Sequence, residues 1–288
     1  MLGTLSSYDM LDPTIIKKIE DFVYAKPRAV QEIAVHINKN WRTADRYVED
    51  IEKNFGTIST RVFREGTRGA LKIVYFSSVD KVSHSVFQEK LEEDIFKGRT
   101  KYDFAAFDIF QHVSEKNKTA WIKKGKDESD AGRLKEFENL LLGAKKQILF
   151  FSGNLSFINF DDGEVNVFEV LEKLVKKGIS LKVICRIDFA AKQNVEKLLS
   201  LNFKYGKELI EIHNREQPLR ATIVDNIINL KEVKEPTGRE KELSKKTYIF
   251  YTIKDKEWSE WLSKIFWKMF SSSIDSKKRL DELNKLKL

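Results

Sequence analysis

The sequence contains only one cysteine, four histidines and four prolines among its 288 residues. The single cysteine, Cys185, excludes an intrachain disulfide, and the scattered histidines lack the spacing of a metal site. No run approaches the roughly 18 apolar residues that a membrane-spanning helix needs, and no secretion signal is evident at the start. A phosphate-binding loop and a nucleophile elbow are also missing. We therefore expect no metal, no cofactor, no membrane partner, and a cytoplasmic location.

The charge distribution limits what the composition says about partners. The 52 Lys and Arg residues against 44 Asp and Glu give a net charge of +8, which suits a polyanionic partner. Residues 1–80 carry 12 basic and 11 acidic side chains, whereas residues 141–288 carry 28 and 21. The excess lies in the C-terminal half, so a nucleic-acid-binding role for the N-terminal part depends on where its basic residues sit.

The N-terminal part shows three consecutive helical patterns. Asp12 followed by Pro13 predicts a helix start, and one apolar face follows at Ile15, Ile16, Ile19, Phe22 and Val23. A second helix, ended by the polar turn Asn38-Lys39-Asn40, has its apolar positions at Val30, Ile33, Ala34 and Ile37. Asn40 predicts the cap of a third helix, whose apolar face comprises Ala44, Tyr47, Val48 and Ile51. The short turn between the second and third helices is typical of a helix-turn-helix.

Two β-prone stretches follow, residues 57–63 and 70–76, and the glycines between them permit a tight hairpin. Three helices followed by a hairpin with arginines at its tip resemble the winged helix-turn-helix family across residues 10–78. The resemblance implies that the third helix enters the major groove of double-stranded DNA. The residues predicted to contact DNA are Lys39, Trp41, Arg42, Thr43, Arg46, Arg64, Thr67 and Arg68. Alternatively, the arginines form a solvated face of a protein-interaction domain, because they have the acidic neighbours Asp45, Glu49 and Asp50.

Residues 82–143 show three further helical patterns. Their apolar positions include Val86, Leu91 and Ile95, then Phe104, Phe107, Ile109 and Phe110, then Leu134, Phe137, Leu140 and Leu141. The charged, glycine-interrupted segment 116–130 predicts a loop between helices. These helices either pack on the C-terminal domain or contribute to a homodimer. We favour a dimer contribution, because a protein that reads two half-sites needs two-fold symmetry.

The C-terminal half has the pattern of an α/β domain. A continuous apolar strand at 145–152, a helix from Val167 to Val175 and a second apolar strand at 179–187 form a βαβ unit, which predicts a parallel sheet. A helix at 190–201, a strand at 209–213 and two tightly joined strands at 219–224 and 227–233 follow. The predicted fold class is therefore a multidomain α/β protein.

The segment from Pro218 to Asp225 resembles the phospholipase D signature H-x-K-x4-D. Pro218 stands in place of the histidine, Arg220 in place of the lysine, and only Asp225 matches. In that family the histidine attacks phosphorus and the lysine holds phosphate oxygens, whereas proline has no nucleophile. The resemblance implies a phospholipase D-like domain without catalytic activity, in which Arg220 and Asp225 form a structural or ligand-holding pair.

A winged helix followed by helices and a phospholipase D-like domain without its histidine resembles the archaeal TrmB-type transcription regulators over most of the chain. The resemblance implies a C-terminal sensor domain that controls DNA binding through a small-molecule effector, whose identity is unknown. Ligands bind open α/β sheets at the carboxyl ends of strands, so the ligand-binding residues are predicted to be Ser152, Asn154, Ser156, Arg220 and Asp225. Alternatively, the first three simply cap a turn.

Four segments follow from these patterns. Residues 1–80 are the DNA-binding domain, 81–143 a helical connector with a dimer contribution, 144–275 the phospholipase D-like domain, and 276–288 a charged tail. The predicted function is a dimeric DNA-binding transcription regulator that is not an enzyme. The alternatives are a phosphodiesterase or nuclease of the phospholipase D superfamily, and a non-regulatory interaction module of a DNA-associated assembly.

Overall fold

The computed structural model describes residues 12–64, 70–76, 84–125, 131–237 and 243–286. The chain divides into two compact units. The first comprises residues 1–83, 121–124 and 234–247, and the second comprises residues 84–120, 125–233 and 248–288. Both contain helices and strands, so the predicted α/β class is confirmed at that level.

The first unit contains the three predicted helices followed by the two predicted strands. Its elements are α1 (Pro13–Ala25), β1 (Arg28–Ala29), α2 (Val30–His36), α3 (Trp41–Asn54), β2 (Ile58–Arg64) and β3 (Ala70–Phe76). The strands form an antiparallel sheet in the order β1-β3-β2. The two-residue strand β1 was not expected from the sequence, because so short a pairing leaves no periodic pattern.

Side-chain caps and a shared apolar core hold these helices in place. Asp12 accepts a hydrogen bond from the Thr14 amide at 2.9 Å, and Asn40 accepts one from the Thr43 amide at 2.9 Å, so both predicted caps are confirmed. Replacing such a cap by alanine typically costs about 1 kcal/mol. The core of the unit includes fully buried side chains from all three helices and β2, namely Ile19, Ile33, Val48, Ile51 and Ile58.

The second unit is built around a larger sheet. Its helices are α4 (His84–Lys97), α5 (Ala106–Phe110), α6 (Ala131–Leu142), α7 (Val167–Lys176), α8 (Phe189–Tyr205), α9 (Lys256–Ser271) and α10 (Ser276–Lys285). The strands of the sheet are β4 (Lys118–Lys124), β5 (Gln147–Phe151), β6 (Ser180–Cys185), β7 (Ile210–Asn214), β8 (Ala221–Val224), β9 (Ile227–Lys234), β10 (Thr247–Lys254) and β11 (Ile274–Asp275). Residues 121–124 of β4, Lys234 of β9 and Thr247 of β10 are assigned to the first unit. Short 3-10 turns lie at Glu115–Asn117 and Ser156–Asn159.

This sheet is mixed, which corrects the expectation of a parallel sheet. Its strand order is β11-β7-β6-β5-β8-β9-β10-β4. Strands β5, β6 and β7 are parallel and α7 links β5 to β6, so the predicted βαβ unit is confirmed. Strand β8 is antiparallel to both β5 and β9. The turn Asp225-Asn226 accounts for the antiparallel pairing of β8 with β9, because a two-residue link joins only antiparallel strands.

The prediction of a loop at residues 116–130 is wrong in part, because the segment contains β4. The ammonium group of Lys118 is buried, and its Nζ donates to the carbonyl oxygens of Phe110 at 3.0 Å and Gln111 at 3.3 Å. It also pairs with Glu115 at 3.0 Å. A lysine can be buried when its ammonium group donates to backbone carbonyl groups and pairs with a carboxylate, as Lys118 does. The high charge of the segment therefore concealed a strand.

Two apolar layers cover the central strands. On one side, Phe150 of β5 belongs to a core shared with α7, α8 and Leu283 of α10. On the other, Phe151 meets the Phe266 ring of α9 edge to face, with ring centroids 5.2 Å apart. The charged tail thus contains a helix whose Leu283 is buried. Of the helices in the described ranges, none combines the length and apolar character needed to cross a membrane.

Candidate functional site

The exposed face of α3 carries two of the predicted DNA-contact residues. Ala44 and Val48 are fully buried, so the opposite face of the helix points to solvent and presents Arg42 and Arg46. These arginines are four residues apart and therefore neighbours on the helix surface. Arg46 lies over the Tyr47 ring, with 5.5 Å between Cζ and the ring centroid. Across the residues that the structure describes, no carboxylate forms an ion pair with either guanidinium group.

The acidic neighbours of these arginines are largely engaged elsewhere. Nζ of Lys72 on β3 lies 2.7 Å from Oδ1 of Asp45 and 2.9 Å from Oε1 of Glu49. Burial on its own would lower the pKa of Lys72, but hydrogen bonds and charge from the two carboxylates raise it above its ordinary value. Lys72 therefore stays charged, contacts two of the three acidic groups that the sequence places beside the arginines, and offsets one of their negative charges.

The other described residues predicted to contact DNA lie in the turn before α3, in the first turn of α3 and at the end of β2. Lys39 is exposed in the turn between α2 and α3, where Asn38 adopts a left-handed conformation with φ of 53°. Thr43 donates its amide to the Asn40 cap, and Trp41 packs against the core of the first unit. Arg64 is exposed at the end of β2. Thr67 and Arg68 lie outside the described residues.

One ring stack in the first unit was not found from the sequence. The Phe22 ring stacks on the His36 ring with centroids 3.9 Å apart, and the Arg28 guanidinium lies over Phe22 at 4.0 Å. Burial, followed by the positive charges of Lys18 and Arg28, lowers the pKa of His36. No sequence period indicates this stack, because its members lie on α1, α2 and β1, which only tertiary packing brings together.

In the second unit, the polar residues after β5 build a turn. The Ser152 hydroxyl accepts from the Leu155 amide at 3.1 Å, and Oδ1 of Asn154 accepts from the Ser156 amide at 3.2 Å. The Ser152 carbonyl also accepts from Nε2 of Gln217 at 2.8 Å. The turn-capping alternative is therefore observed for Ser152 and Asn154.

Arg220 and Asp225 do not form the predicted pair. They flank the four-residue strand β8 at opposite ends. Because β8 runs antiparallel to β5, Arg220 lies beside the end of β5 and Asp225 beside its start. Asp225 is an exposed turn residue with φ of 49°. The two residues are close in the sequence, but an extended strand separates their side chains.

The positive charge of a different residue, Arg186, acts on Arg220 instead. A Cβ atom placed on Gly153 would lie 2.7 Å from Nη2 of Arg220, so the guanidinium group occupies the space over this glycine. Burial and, after it, the positive charge of Arg186 lower the pKa of Arg220. Arg186 pairs with Asp188, with 2.8 Å between Nε and Oδ2. Sequence reasoning missed Arg186, although its position directly after a buried strand was a usable signal.

The residues around the degenerate motif offer little nucleophilic chemistry. Pro218 is buried against Gly98. The His213 ring stacks on Phe270 with centroids 3.7 Å apart, and its Nδ1 lies 2.8 Å from the Phe270 carbonyl oxygen. Burial of the thiol raises the pKa of Cys185 to about 12, so it stays protonated. Searching the described ranges reveals no group of three His, Cys, Asp or Glu side chains suited to a metal ion.

Comparison with known proteins gives weak similarities only. No family model matches the chain, and no curated protein matches its sequence. Among solved structures, TrmBL2, described as an archaeal chromatin protein with a novel mode of DNA binding, is 14% identical in sequence, with a TM-score of 0.38. The alignment covers 93% of this chain and 95% of the TrmBL2 chain. The phospholipase D family member Nuc from Salmonella typhimurium is 12% identical in sequence, with a TM-score of 0.36. The alignment covers 55% of this chain and 98% of the Nuc chain.

NucT from Helicobacter pylori is 9% identical at a TM-score of 0.36, covering 55% of this chain and 99% of its own. Similarities of this size do not establish a shared fold or function. The functional argument therefore depends on the residues themselves.

Proposed function

We propose that the protein is a DNA-binding transcription regulator whose first unit is a winged helix-turn-helix. The observation that supports this proposal is the exposed pair Arg42 and Arg46 on α3, two of whose three acidic neighbours contact Lys72. Because Lys72 offsets one of the two negative charges of Asp45 and Glu49, the two arginines leave this group of five side chains with a net charge of +1, which phosphate attracts. The order of three helices and a hairpin supports the same proposal.

In this proposal α3 lies in the major groove. Arg42 and Arg46 then donate to guanine edges or phosphates, and a bidentate arginine–guanine contact is worth about 1–3 kcal/mol of discrimination. Lys39 lies next to the start of α3, where positively charged groups and free amides contact the phosphate backbone. Arg64, with Thr67 and Arg68, contacts the backbone or the adjacent minor groove. Trp41 acts mainly by holding α3 on its core.

The second unit is proposed to be a non-catalytic phospholipase D-like domain that senses an effector or contributes to a homodimer. Its support is the buried Pro218 at the position of the family's nucleophile. The four sequence segments, with boundaries at residues 80, 143 and 275, remain part of this proposal. In the structure, α4, α5 and α6 fall within the second unit.

Selection of binding sites from random duplex DNA tests the function. We expect the full chain to enrich a palindromic site and an Arg42→Ala/Arg46→Ala variant to lose it. The matched control is Lys17→Ala/Lys18→Ala, which removes two exposed cations from α1 instead. Enrichment in the control but not in the arginine variant supports the proposal. Absence of a preferred site, or a site retained by the arginine variant, contradicts it.

A further inference from the structure

A group of exposed lysines lies where the three parallel strands of the second unit begin. Parallel strands start at the same edge of their sheet, and we call the edge where β5, β6 and β7 begin the amino edge. A lysine-bearing turn or helix end precedes each of these strands. The amino-edge lysines, all seven of them exposed, are Lys145, Lys146, Lys173, Lys176, Lys177, Lys204 and Lys207.

Backbone hydrogen bonds hold the three strand starts side by side. The Lys146 carbonyl accepts from the Ser180 amide at 3.0 Å, just before β5 and at the start of β6. The Leu209 carbonyl accepts from the Leu181 amide at 2.9 Å, just before β7. Because neighbouring strands lie about 4.8 Å apart, the three starts span roughly 10 Å. The lysines that precede them therefore belong to one surface.

The ends of α7 and α8 bring further lysines to this surface. Glu172 of α7 forms an ion pair with Lys204 of α8 and accepts a hydrogen bond from the Tyr205 hydroxyl at 2.7 Å. Hydrogen bonds from Lys204 and Tyr205, followed by the charges of Lys204 and Lys176, lower the pKa of Glu172. Lysines from both helix ends thus act on the same carboxylate, which places these ends next to each other.

Positive charge is in excess at the amino edge. In the part of the chain that the structure describes, the carboxylates at this edge belong to Glu172, Glu208 and Asp225. Seven lysines against three carboxylates leave a net charge of +4. Glu208 is also contacted by Lys277, from outside the group, at 3.9 Å. The amino edge therefore accounts for four of the seven excess positive charges that the sequence places in residues 141–288.

Most of these lysines keep their charge available for a partner. Among the described residues, Lys204 is the only amino-edge lysine that forms an ion pair. Duplex DNA carries one phosphate charge per about 1.7 Å of its axis, so several lysines on one surface can each find a phosphate. Binding to a lipid surface also requires buried apolar area. Beside the amino-edge lysines that the structure describes, Phe203 is the single large apolar side chain that is mostly exposed, at 85%. The composition of the surface therefore favours DNA.

We propose that the amino-edge lysines bind the phosphate backbone of duplex DNA without reading its sequence. Contacts to phosphate fix the position of a protein on DNA but carry no sequence information directly. This surface belongs to the second unit, whereas α3 belongs to the first. The choice of DNA as the polyanion rests on the proposed function, but binding of a polyanion by this surface does not.

Fluorescence anisotropy with a random-sequence duplex, at about 50 to 200 mM NaCl, tests the surface. The full chain with Arg42→Ala/Arg46→Ala is the parent, because the contribution of α3 is then removed. The amino-edge variant adds four substitutions, Lys145→Gln/Lys146→Gln/Lys176→Gln/Lys177→Gln. Each phosphate contact contributes about 0.9 to the slope of log K against log salt, so we expect a slope shallower by about 3 to 4 and an affinity at least about tenfold lower.

The matched control removes the same number of exposed lysines from another part of the second unit. It carries Lys116→Gln/Lys254→Gln/Lys256→Gln/Lys264→Gln in the same parent. Each of these lysines has an acidic residue within four positions in the sequence, so positive charge is not in excess around them. The control should bind the random duplex like the parent, with the same slope.

Several results would overturn the proposal. They are a parent that does not bind the duplex at about 50 mM NaCl, an amino-edge variant with unchanged affinity and slope, and a control that is weakened equally. Unchanged DNA binding with a lower midpoint of thermal unfolding would show that the lysines only stabilise helix ends. Vesicles of phosphatidylglycerol and phosphatidylcholine provide the lipid test, and a loss of vesicle binding without a loss of DNA binding also overturns the proposal.

Site selection separates this proposal from the proposed function. The four amino-edge substitutions are then made in the chain that keeps Arg42 and Arg46. A preferred site that persists in this variant, together with lost binding of the random duplex, supports both proposals. Lysine-dependent binding without a preferred site supports the surface and contradicts the regulator. If the fourfold variant does not fold, Lys145→Gln/Lys146→Gln decides, with an expected change in slope of about 2.

Discussion

Nζ of Lys72 on β3 contacts Asp45 on α3 at 2.7 Å, and the same ammonium group contacts Glu49 at 2.9 Å. One residue of the hairpin therefore supplies a positive charge to two carboxylates of the helix proposed to read DNA. Lys72 is mostly buried, whereas Arg42 and Arg46 are exposed. Asp45 and Glu49 contact Lys72 of the hairpin, whereas the arginines point to solvent.

Replacing Lys72 by methionine should weaken DNA binding although Lys72 is not expected to touch DNA. The variant keeps an apolar stem of similar length but leaves two carboxylates unpaired near phosphate. A charge pair at about 4 Å is worth about 1 kcal/mol in water-like surroundings, so we expect roughly a fivefold to tenfold loss. Fluorescence anisotropy with the selected duplex measures it.

The rescue variant for this prediction is Lys72→Met/Asp45→Asn/Glu49→Gln, which removes the unpaired charges. Its DNA affinity should return to near that of the unmodified chain. If the rescue variant binds as weakly as Lys72→Met, the lysine acts by another route, such as a phosphate contact. Thermal unfolding of each variant shows whether the fold is retained.

Replacing Arg46 by alanine should lower affinity for the selected site by about 1–3 kcal/mol if its guanidinium group reads a base. If the guanidinium group instead neutralises a phosphate, the substitution should make the slope of log K against log salt shallower by about 0.9. Titrations at several NaCl concentrations distinguish these roles. An unchanged affinity and an unchanged slope would exclude Arg46 from the interface.

The lowered pKa of His36, caused by burial and then by the charges of Lys18 and Arg28, should make stability depend on pH. The pKa of His36 is lower in the folded protein than its ordinary value of 6.5, so the unfolded chain binds the proton more readily. The contribution of His36 is therefore complete above pH 6.5 and is lost as pH falls towards the folded pKa. The midpoint of thermal unfolding, measured between about pH 5 and pH 8, reports the loss.

His36→Phe is the control for this pH dependence, since it retains a ring against Phe22 but cannot bind a proton. The difference in midpoint between the two proteins should grow as the pH is lowered. A difference that is constant across the range would show that His36 titrates alike in both states.

Gly98→Ala should destabilise the second unit. A Cβ on Gly98 would lie 2.7 Å from Cγ and 2.9 Å from Cβ of Pro218, whose ring cannot rotate away. Overpacking of this kind costs about 1–3 kcal/mol, which urea unfolding can detect. Gly143→Ala should cost far less, because its new Cβ meets no atom closer than 3.4 Å. Equal effects would place Pro218 away from Gly98 in solution.

Much of the local structure could be predicted from the sequence. Asp12 and Asn40 predict helix starts because a side chain can cap amides two or three residues away, which is a local interaction. The apolar spacing of α1, α2 and α3 and the run in β5 likewise predict their elements, since each pattern follows the period of its own backbone. The replacement of the motif histidine by Pro218 can also be read directly from the sequence.

Contacts between distant parts of the chain required the tertiary structure. Lys72 and Asp45 are 27 residues apart, and no local rule pairs them. Arg220 and Asp225 are close in sequence, yet the extended strand β8 separates them, while pairing of β5 with β6 and β8 brings Gly153, Arg186 and Arg220 together. Backbone periods and caps act over a few residues, so the sequence alone determined most of the elements, with β1 and β4 as exceptions. Strand order and side-chain packing act over the whole chain, and only they decided which charges meet.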